Sequence, residues 1–291
     1  MADPIYVLQS IATGLLLGGV YGLTALGLSI IFGVMNIVNF AQGDFMMLAM
    51  YATFFLYTLF GVFPLVSLLI VIPLFFVMGI GVQKFIINRV IDKPPMTHLL
   101  ITLGLSIVLQ NVALAIFKAD PRSVITPLAT TAISLGPLYL NQAHVVAFIS
   151  ALIMTFIVSM FLNRTYFGKA IRATADDREA AMLMGINIDR VYLVTFGLGI
   201  ALVSGAGVLV SLYYPISPAV AWDFIVLMFV AVVLGGLGSV KGALVGGIIV
   251  GLVQSVSTIW LTIDLRNIAV FAAFVIILLL KPSGLFGVKR E

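Results

Sequence analysis

With 62% hydrophobic residues against 9% charged over 291 residues, and a mean hydropathy of +1.24, this chain is far more apolar than a water-soluble domain, which runs at about 45–50% apolar and about 25% charged. A soluble globular protein is excluded, and the net charge of +4, which in such a protein would suggest nucleic acid, here serves orientation in a membrane, with no nucleic-acid partner. The absence of cysteine rules out disulfides and thiolate metal sites, and the isolated His98 and His144 have no ligand spacing and read as residues at helix ends.

Taken in chain order, the first apolar run covers 5–32 and carries Gly14, Gly18 and Gly22 on one face. "MADPIYVLQS" has an acidic residue where a secretory signal has a basic region, and the run behind it is too long for a cleaved core, so this helix is expected to be retained. Further runs fall at 45–59, 62–82, 99–117, 144–162, 191–214, 224–234, 243–262 and 268–280. A hydrocarbon core about 30 Å thick needs about 20 apolar residues per helix, and lipid tolerates only helices or closed barrels. The chain therefore reads as an all-α polytopic transmembrane bundle of about 8–9 segments, some short or broken, forming a single domain over 1–291. Small residues recur at four-residue intervals in the sixth run (Gly197, Ala201, Gly205) and around the eighth (Gly238, Gly242, Gly246, Gly247, Gly251). Such stripes let helices approach closely, either within the chain or against a second subunit or a moving seam.

Orientation follows from the basic residues. With the amino terminus outside, the inner segments hold Lys84, Arg89, Lys93, Arg164, Lys169, Arg172, Arg178, Arg190, Lys241, Lys281, Lys289 and Arg290, and the outer ones only Lys118, Arg122 and Arg266. This matches the positive-inside rule and places the carboxyl terminus in the cytoplasm. The run 224–234 is short enough to be re-entrant instead, which would put the tail outside.

Between the first two runs stand Asn36, Asn39, Gln42, Gly43 and Asp44, in a region otherwise poor in polar side chains. Polar groups and non-helical backbone occur at membrane depth only inside protein or beside water. Two readings follow: a capped turn at the inner surface, or a half-helix junction lining a translocation path. In the second, Asn36, Asn39, Gln42 and Asp44 touch a zwitterion while Phe40, Phe45 and Met46 tolerate its apolar side chain. "DFMMLAM" from Asp44 also resembles "DFIVLMF" from Asp223, which would be an inverted repeat with Asp44 near the inner face and Asp223 near the outer.

The longest charged stretch, 163–190, reads as one short helix. Thr174 and Asp177 have capping-box spacing, acids fill the first turn, and Gly185 suits a left-handed end. Ile171, Ala175, Arg178 and Met182 share a face, Met182 to Met184 form an apolar tip, and Asn187 or Asp189 caps the next helix. The stretch is either a docking element or a solvated connector.

Several chemistries are missing. There is no G-x-x-x-x-G-K-[ST] loop, no His-Glu-x-x-His, no G-x-S-x-G, and Asp176 and Asp177 point about 100° apart on a helix. No catalytic or metal site is expected. The span interiors hold no clear ionisable residue of the kind that carries protons or sodium, which leaves a channel or a permease driven by an ATPase on another chain.

"GKAIRATADDREAAMLMGINIDRVYLVTFGLG" resembles the coupling loop of permease subunits of bacterial ABC importers for branched-chain amino acids. The family's Glu-Ala-Ala, three residues, Gly motif falls on Glu179, Ala180, Ala181 and Gly185. No Leu-Pro follows Gly185, a departure from sugar importers that fits the branched-chain branch. "GLTALGLSIIFGVMNIVNFAQGDFMMLAMY" and "VVLGGLGSVKGALVGGIIVG" are also similar to that family, so the resemblance extends over nearly the whole chain. It implies a multi-pass protein of the bacterial inner membrane, with the loop 163–190 contacting an ATPase through Arg178, Glu179, Ala180, Ala181, Met182 and Gly185. Implied partners are a second, usually different permease, two cytoplasmic ATPase subunits that bind ATP and Mg, and a solute-binding protein, with no cofactor in this chain. Within the family the cargo is branched-chain or other small amino acids, or alternatively urea, amides or aromatic acids. From another class, the alternative is an uncoupled or ion-coupled channel.

Overall fold

The computed structural model describes residues 4–262 and 265–287. Its elements are α1 (Pro4–Met35), α2 (Gln42–Phe60), α3 (Pro64–Phe85), a 3-10 turn (Ile87–Arg89), α4 (Pro95–Phe117), α5 (Pro127–Thr130), β1 (Ala132–Leu135), β2 (Leu138–Asn141), α6 (Gln142–Arg164), α7 (Tyr166–Asp176), α8 (Arg178–Leu183), α9 (Ile188–Val210), α10 (Val220–Gly235), α11 (Val240–Ser257) and α12 (Arg266–Leu280). Among the described residues seven helices are long and apolar enough to cross a membrane, and α10 and α12 are shorter apolar helices, so a helix underlies every expected run, with 62–63, 211–214 and 258–262 falling beyond the helix ends. Lys289 and Arg290 of the basic tail lie outside the described residues.

Local chemistry sets the boundaries. Proline opens α3 and α4, where its missing N–H costs nothing. Gly61, at φ 65°, ends α2, with the N–H groups of Gly61 and Val62 returning to the Tyr57 and Leu56 carbonyls. Asn141 and Ser239 cap α6 and α11 by accepting from Ala143 N and Gly242 N. The antiparallel hairpin β1–β2 turns at Gly136, φ 62°, a detail that apolar periodicity does not reveal.

Glycine sets the packing. α1 and α9 cross at Gly27 and Gly199: a Cβ on Gly27 would stand 2.6 Å from the Gly199 carbonyl, and one on Gly199 2.7 Å from the Gly27 carbonyl. α1 also lies along α11, where Gly14, Gly18 and Gly22 meet Gly251, Ile248 and Leu244. α9 lies along α3 in the same way, with Gly197 against Gly79. The partners α1–α11 and α9–α3 are thus related, as α2 packing on α9 is to α10 packing on α1, and α2 also meets α10. This is the arrangement expected when α1 to α4 and α9 to α12 form an inverted pair. The outward faces of α3 (Leu69, Leu74, Val77) and α6 (Ile153, Phe156, Ile157) are exposed and wholly apolar, as acyl chains require.

The two ends of the bundle are distinct. At one, Gln9 bonds both backbone groups of Tyr139, Tyr57 Oη donates to the Ile125 carbonyl, and Arg122 pairs with Ile216. At the other, Arg178 meets Asp92, and the chain after α12 folds back so that Leu285 N and Phe286 N donate to the Leu234 and Gly235 carbonyls that end α10. α10 therefore leads from the Ile216 end to the opposite end, which supports a traverse over the re-entrant alternative for 224–234.

The seam predicts a contrast. A Cβ at Gly247 would come within 2.1 Å of Gly22 N, whereas one at Gly104 meets nothing within 4 Å. Gly247→Val should cost at least the roughly 1–3 kcal/mol of an overpacked core, while Gly104→Ala should be neutral or stabilising by up to about 1 kcal/mol. Thermal midpoints of the two variants in detergent, followed by size-exclusion chromatography, check this.

Candidate functional site

The stretch 36–44 becomes an unwound segment followed by a helix that starts inside the bundle. α1 stops at Met35 because Asn36 turns left-handed at φ 53°, a conformation that asparagine tolerates better than most side chains. Asn36 is exposed at the end of the bundle that carries Arg178 and Asp92, and lines a cavity of about 570 Å³ with Phe32, Asp176, Ser239 and Gly287. From there the chain runs non-helically into the bundle, where the Val38 carbonyl accepts from Thr102 Oγ1 at 3.1 Å.

Two amides take over the hydrogen bonding that the missing helix would have supplied. Asn39 Nδ2 donates to Gln42 Oε1 at 2.9 Å, Asn39 Oδ1 accepts from Ala41 N at 3.1 Å, and Gln42 Nε2 donates to the Gly199 carbonyl at 3.1 Å. Both side chains are fully buried. Each polar group is matched, as burial in an apolar medium demands. Phe40 packs on Phe229 of α10 with ring centroids 5.1 Å apart.

Asp44 occupies the first turn of α2 and is 1% exposed. Its carboxylate faces Ser106 and Gln110 of α4, and its Oδ1 has no hydrogen-bond partner. Gly43 lies so close to α10 that a Cβ there would stand 2.4 Å from the Ala221 carbonyl. The starts of α2 and α10 therefore meet inside the bundle, each with an aspartate in its first turn. This removes one of the two readings of 36–44 and corrects two expectations. Asn39, Gln42 and Asp44 are not in a turn at the inner surface; Asp44 and Asp223 lie on helix starts that touch, not at opposite faces; and a carboxylate is buried in the bundle after all. One cause explains all three: residues 36–41 unwind and carry the chain inward before helix resumes. Asp223 itself is exposed, and accepts from Tyr214 Oη at 3.5 Å.

The charged loop also differs from expectation. Asp177 is extended, with φ −152° and ψ 110°, so the single helix is two, α7 and α8. Asp177 is itself the cap of α8, accepting from Glu179 N at 2.9 Å and Ala180 N at 3.0 Å, while Thr174 Oγ1 donates back to the Ala170 carbonyl and Thr165 caps α7. The break dissolves the expected common face: Ile171 is buried and Ala175 half-buried, whereas Arg178 and Met182 are exposed. Arg178 reaches Asp92 at 3.4 Å and lies 5.7 Å from the Tyr192 ring centroid, pinning α8 to the bundle. Gly185 is left-handed as expected, φ 81°, and with Ile186 N on the Ala181 carbonyl it turns the chain back; Asn187 then caps α9 through Arg190 N. What remains outward is Glu179, Ala180 and an apolar tip, Met182, Leu183 (88% exposed) and Met184 (82% exposed).

Sequence reasoning passes over Ser106, Gln110 and Trp222. Trp222 Nε1 donates to Gln110 Oε1 at 2.7 Å across 112 residues of chain, a separation no local spacing signals. The chain Tyr21 Oη to Gln254 Oε1 and Gln254 Nε2 to Asn267 Oδ1, which ties α1, α11 and α12, is equally silent in the sequence. Among the described residues no group of three or more His, Cys, Asp or Glu could hold a metal.

Comparison with known proteins gives a consistent picture. The family described as "Branched-chain amino acid transport system / permease component" matches residues 10–280. The chain is 28% identical to the high-affinity branched-chain amino acid transport system permease protein BraD of Pseudomonas aeruginosa, over 99% of this chain and 98% of that one. It is 30% identical to the permease LivH of Salmonella typhimurium over 97% and 96% of the two chains. It is 28% identical to the probable LivH of Methanocaldococcus jannaschii over 91% and 88%. No solved structure matches.

Gln42→Leu should strand Asn39 Nδ2 and remove the second hydrogen bond to the Gly199 carbonyl without changing bulk much, and so destabilise the protein by about 1–3 kcal/mol. Thermal melts of the variant and its parent in detergent check this.

Proposed function

Because the chain belongs to the family of branched-chain amino acid transport system permease components, we propose that it is the membrane-spanning permease of an ATP-binding-cassette importer that carries branched-chain or other small amino acids into the cytoplasm. ATP is bound and hydrolysed, with Mg, on separate subunits. The solute class is supported by the names of the relatives, which cover nearly the whole chain.

The observation that carries the coupling half of this reading is the tip of α8. A six-residue helix is capped by Asp177, seated through buried Ala181, guided by Arg178 toward Asp92 and Tyr192, and ended by left-handed Gly185, while Met182, Leu183 and Met184 face outward. Methionines and leucine on a rigid mount are suited to enter a groove on another protein, and an ATPase subunit is the partner such a permease needs. α7 adjoins the inner cavity through Ala175 and Asp176, beside Gly238 and Ser239 of the α10–α11 turn, so a push on α7–α8 reaches the bundle directly. The path is assigned to the junction of α2 and α10, with Asn36 at its inner mouth, Asp44 on its wall, and Asn39 and Gln42 holding that wall. A second permease, two ATPase subunits and a solute-binding protein complete the importer, in a bacterial inner membrane with the amino terminus outside and the carboxyl terminus in the cytoplasm.

Two experiments test this. A Cβ at Gly185 has open space around it, so the cost of Gly185→Val is the left-handed backbone, about 1–2 kcal/mol and confined to the loop. Gly185→Val and Glu179→Lys should reach the membrane at normal levels yet fail to retain the ATPase, or to stimulate ATP hydrolysis when loaded binding protein is added; normal coupling in both makes the loop a connector. For orientation, a cysteine replacing Arg122 should be labelled by an impermeant maleimide in intact cells and one replacing Arg172 only after permeabilisation. The reverse pattern inverts the topology.

A further inference from the structure

Asp44 holds a carboxylate that the fold does not use up. It is 1% exposed, one of its oxygens has no hydrogen-bond partner, and no cationic side chain lies against it; among the described residues the ion pair is Arg178 with Asp92, at the inner end. The dipole at the start of α2 eases the charge but leaves the lone pairs of Oδ1 idle. A carboxylate buried at membrane depth with only the neutral side chains of Ser106 and Gln110 facing it is costly, and residues of this kind mark binding sites or ion paths.

A cavity of about 300 Å³ lies between α4 and α10, with Asn111, Leu114, Ser217, Pro218 and Trp222 in its lining. Gln110 lines it too and also faces Asp44. Its Oε1 is held by Trp222 Nε1 at 2.7 Å, and its Nε2 points to Ser106 Oγ at 3.4 Å. The Gln110–Trp222 bond thus joins α4 to α10 at the boundary between the cavity and the carboxylate. The cavity is at the small end of ligand sites, about the size for one aliphatic amino acid, with apolar wall for the side chain.

Resting on the reading of the chain as an amino acid permease, we propose that Asp44 receives the ammonium group of the cargo, admitted from this cavity when the Gln110–Trp222 hydrogen bond opens. An ammonium has three donors and no acceptor. Asp44 Oδ1, Ser106 Oγ and Gln110 Oε1, once freed from Trp222, are three acceptors on two facing helices. A hard metal cation, which takes about six or more oxygens, is not served by that set. The contact is strong enough to select a positive nitrogen and, lacking a matching guanidinium for the carboxylate end, weak enough to release it.

The test uses the complete complex in proteoliposomes with radiolabelled leucine. Trp222→Phe keeps an aromatic ring but loses the N–H donor, and should admit leucine without the binding protein at about five times the wild-type leak or more. Leucinamide, which has the ammonium and no carboxylate, should compete with that leak; 4-methylpentanoate, which has the carboxylate and no ammonium, should not. Asp44→Asn should abolish the leak in the double variant and, alone, lower binding-protein-dependent uptake about tenfold or more. No leak in Trp222→Phe, equal competition by 4-methylpentanoate, or wild-type uptake by Asp44→Asn each overturns the assignment. If Asp44→Asn does not assemble, the leak and its competitors decide alone. A wild-type complex that carries no leucine under any condition overturns the solute reading, and the assignment with it.

Discussion

A backbone that stops being helical inside an apolar medium has only protein to bond to, and this constraint shapes the whole molecule. The unwound residues between α1 and α2 survive because Asn39, Gln42 and the Gly199 carbonyl form a closed set of hydrogen bonds around them. That set requires the middle of α9 to lie against the start of α2. It does so because α1 and α9 cross at a pair of glycines, Gly27 and Gly199, with no side chain between them. Glycine spacing and the buried amides thus belong to a single solution. Small residues bring the helices together, and the proximity lets a broken helix be satisfied.

The same logic divides the surface. α3 and α6 turn bare aliphatic and aromatic side chains outward, where a lipid tail is an adequate neighbour. α4 is also largely apolar outward (Leu100, Ile107, Val108), but beside the start of α10 it turns out Asn111 next to Trp222 and Asp223, groups that belong beside water or another chain. The loop α7–α8 is different again, since its exposed methionines and leucine lie on a short helix pinned by an arginine. Three kinds of surface, aliphatic, mixed polar and methionine-rich, therefore occupy separate regions of this small chain.

Much of this is legible in the residues. A helix underlies each expected apolar run, Gly185 and Asn187 behave as their chemistry suggests, and the polar interruption at 36–44 marks the break between α1 and α2. The departures share a physical origin. Hydropathy places every helix start at a membrane surface, which puts Asp44 at the inner face, although the chain carries it into the bundle before α2 begins. The capping spacing of Thr174 with Asp177 is real as a pattern, but Asp177 competes better as a cap in its own right, and the helix divides there. Ser106, Gln110 and Trp222 carry no local signal, because their relation exists only once α4 and α10 are packed.

The strap that follows α12 has a mechanical consequence. Leu285 and Phe286 hydrogen-bond the last carbonyls of α10, as an extra strand would, and Gly236 lies so close that a Cβ there would stand 2.3 Å from Gly287 N. The opposite end of α10 is held by packing, Ala221 against Gly43 and Phe224 against Tyr21 and Tyr214, and meets α4 at Trp222 through a hydrogen bond to Gln110. A rod clamped through its backbone at one end and held by packing at the other pivots most easily about the clamp. Trp222 lies roughly 20 Å from that pivot at 1.5 Å per residue, so a tilt of about 5° sweeps it by about 2 Å, enough to break the latching hydrogen bond while the clamped end stays still.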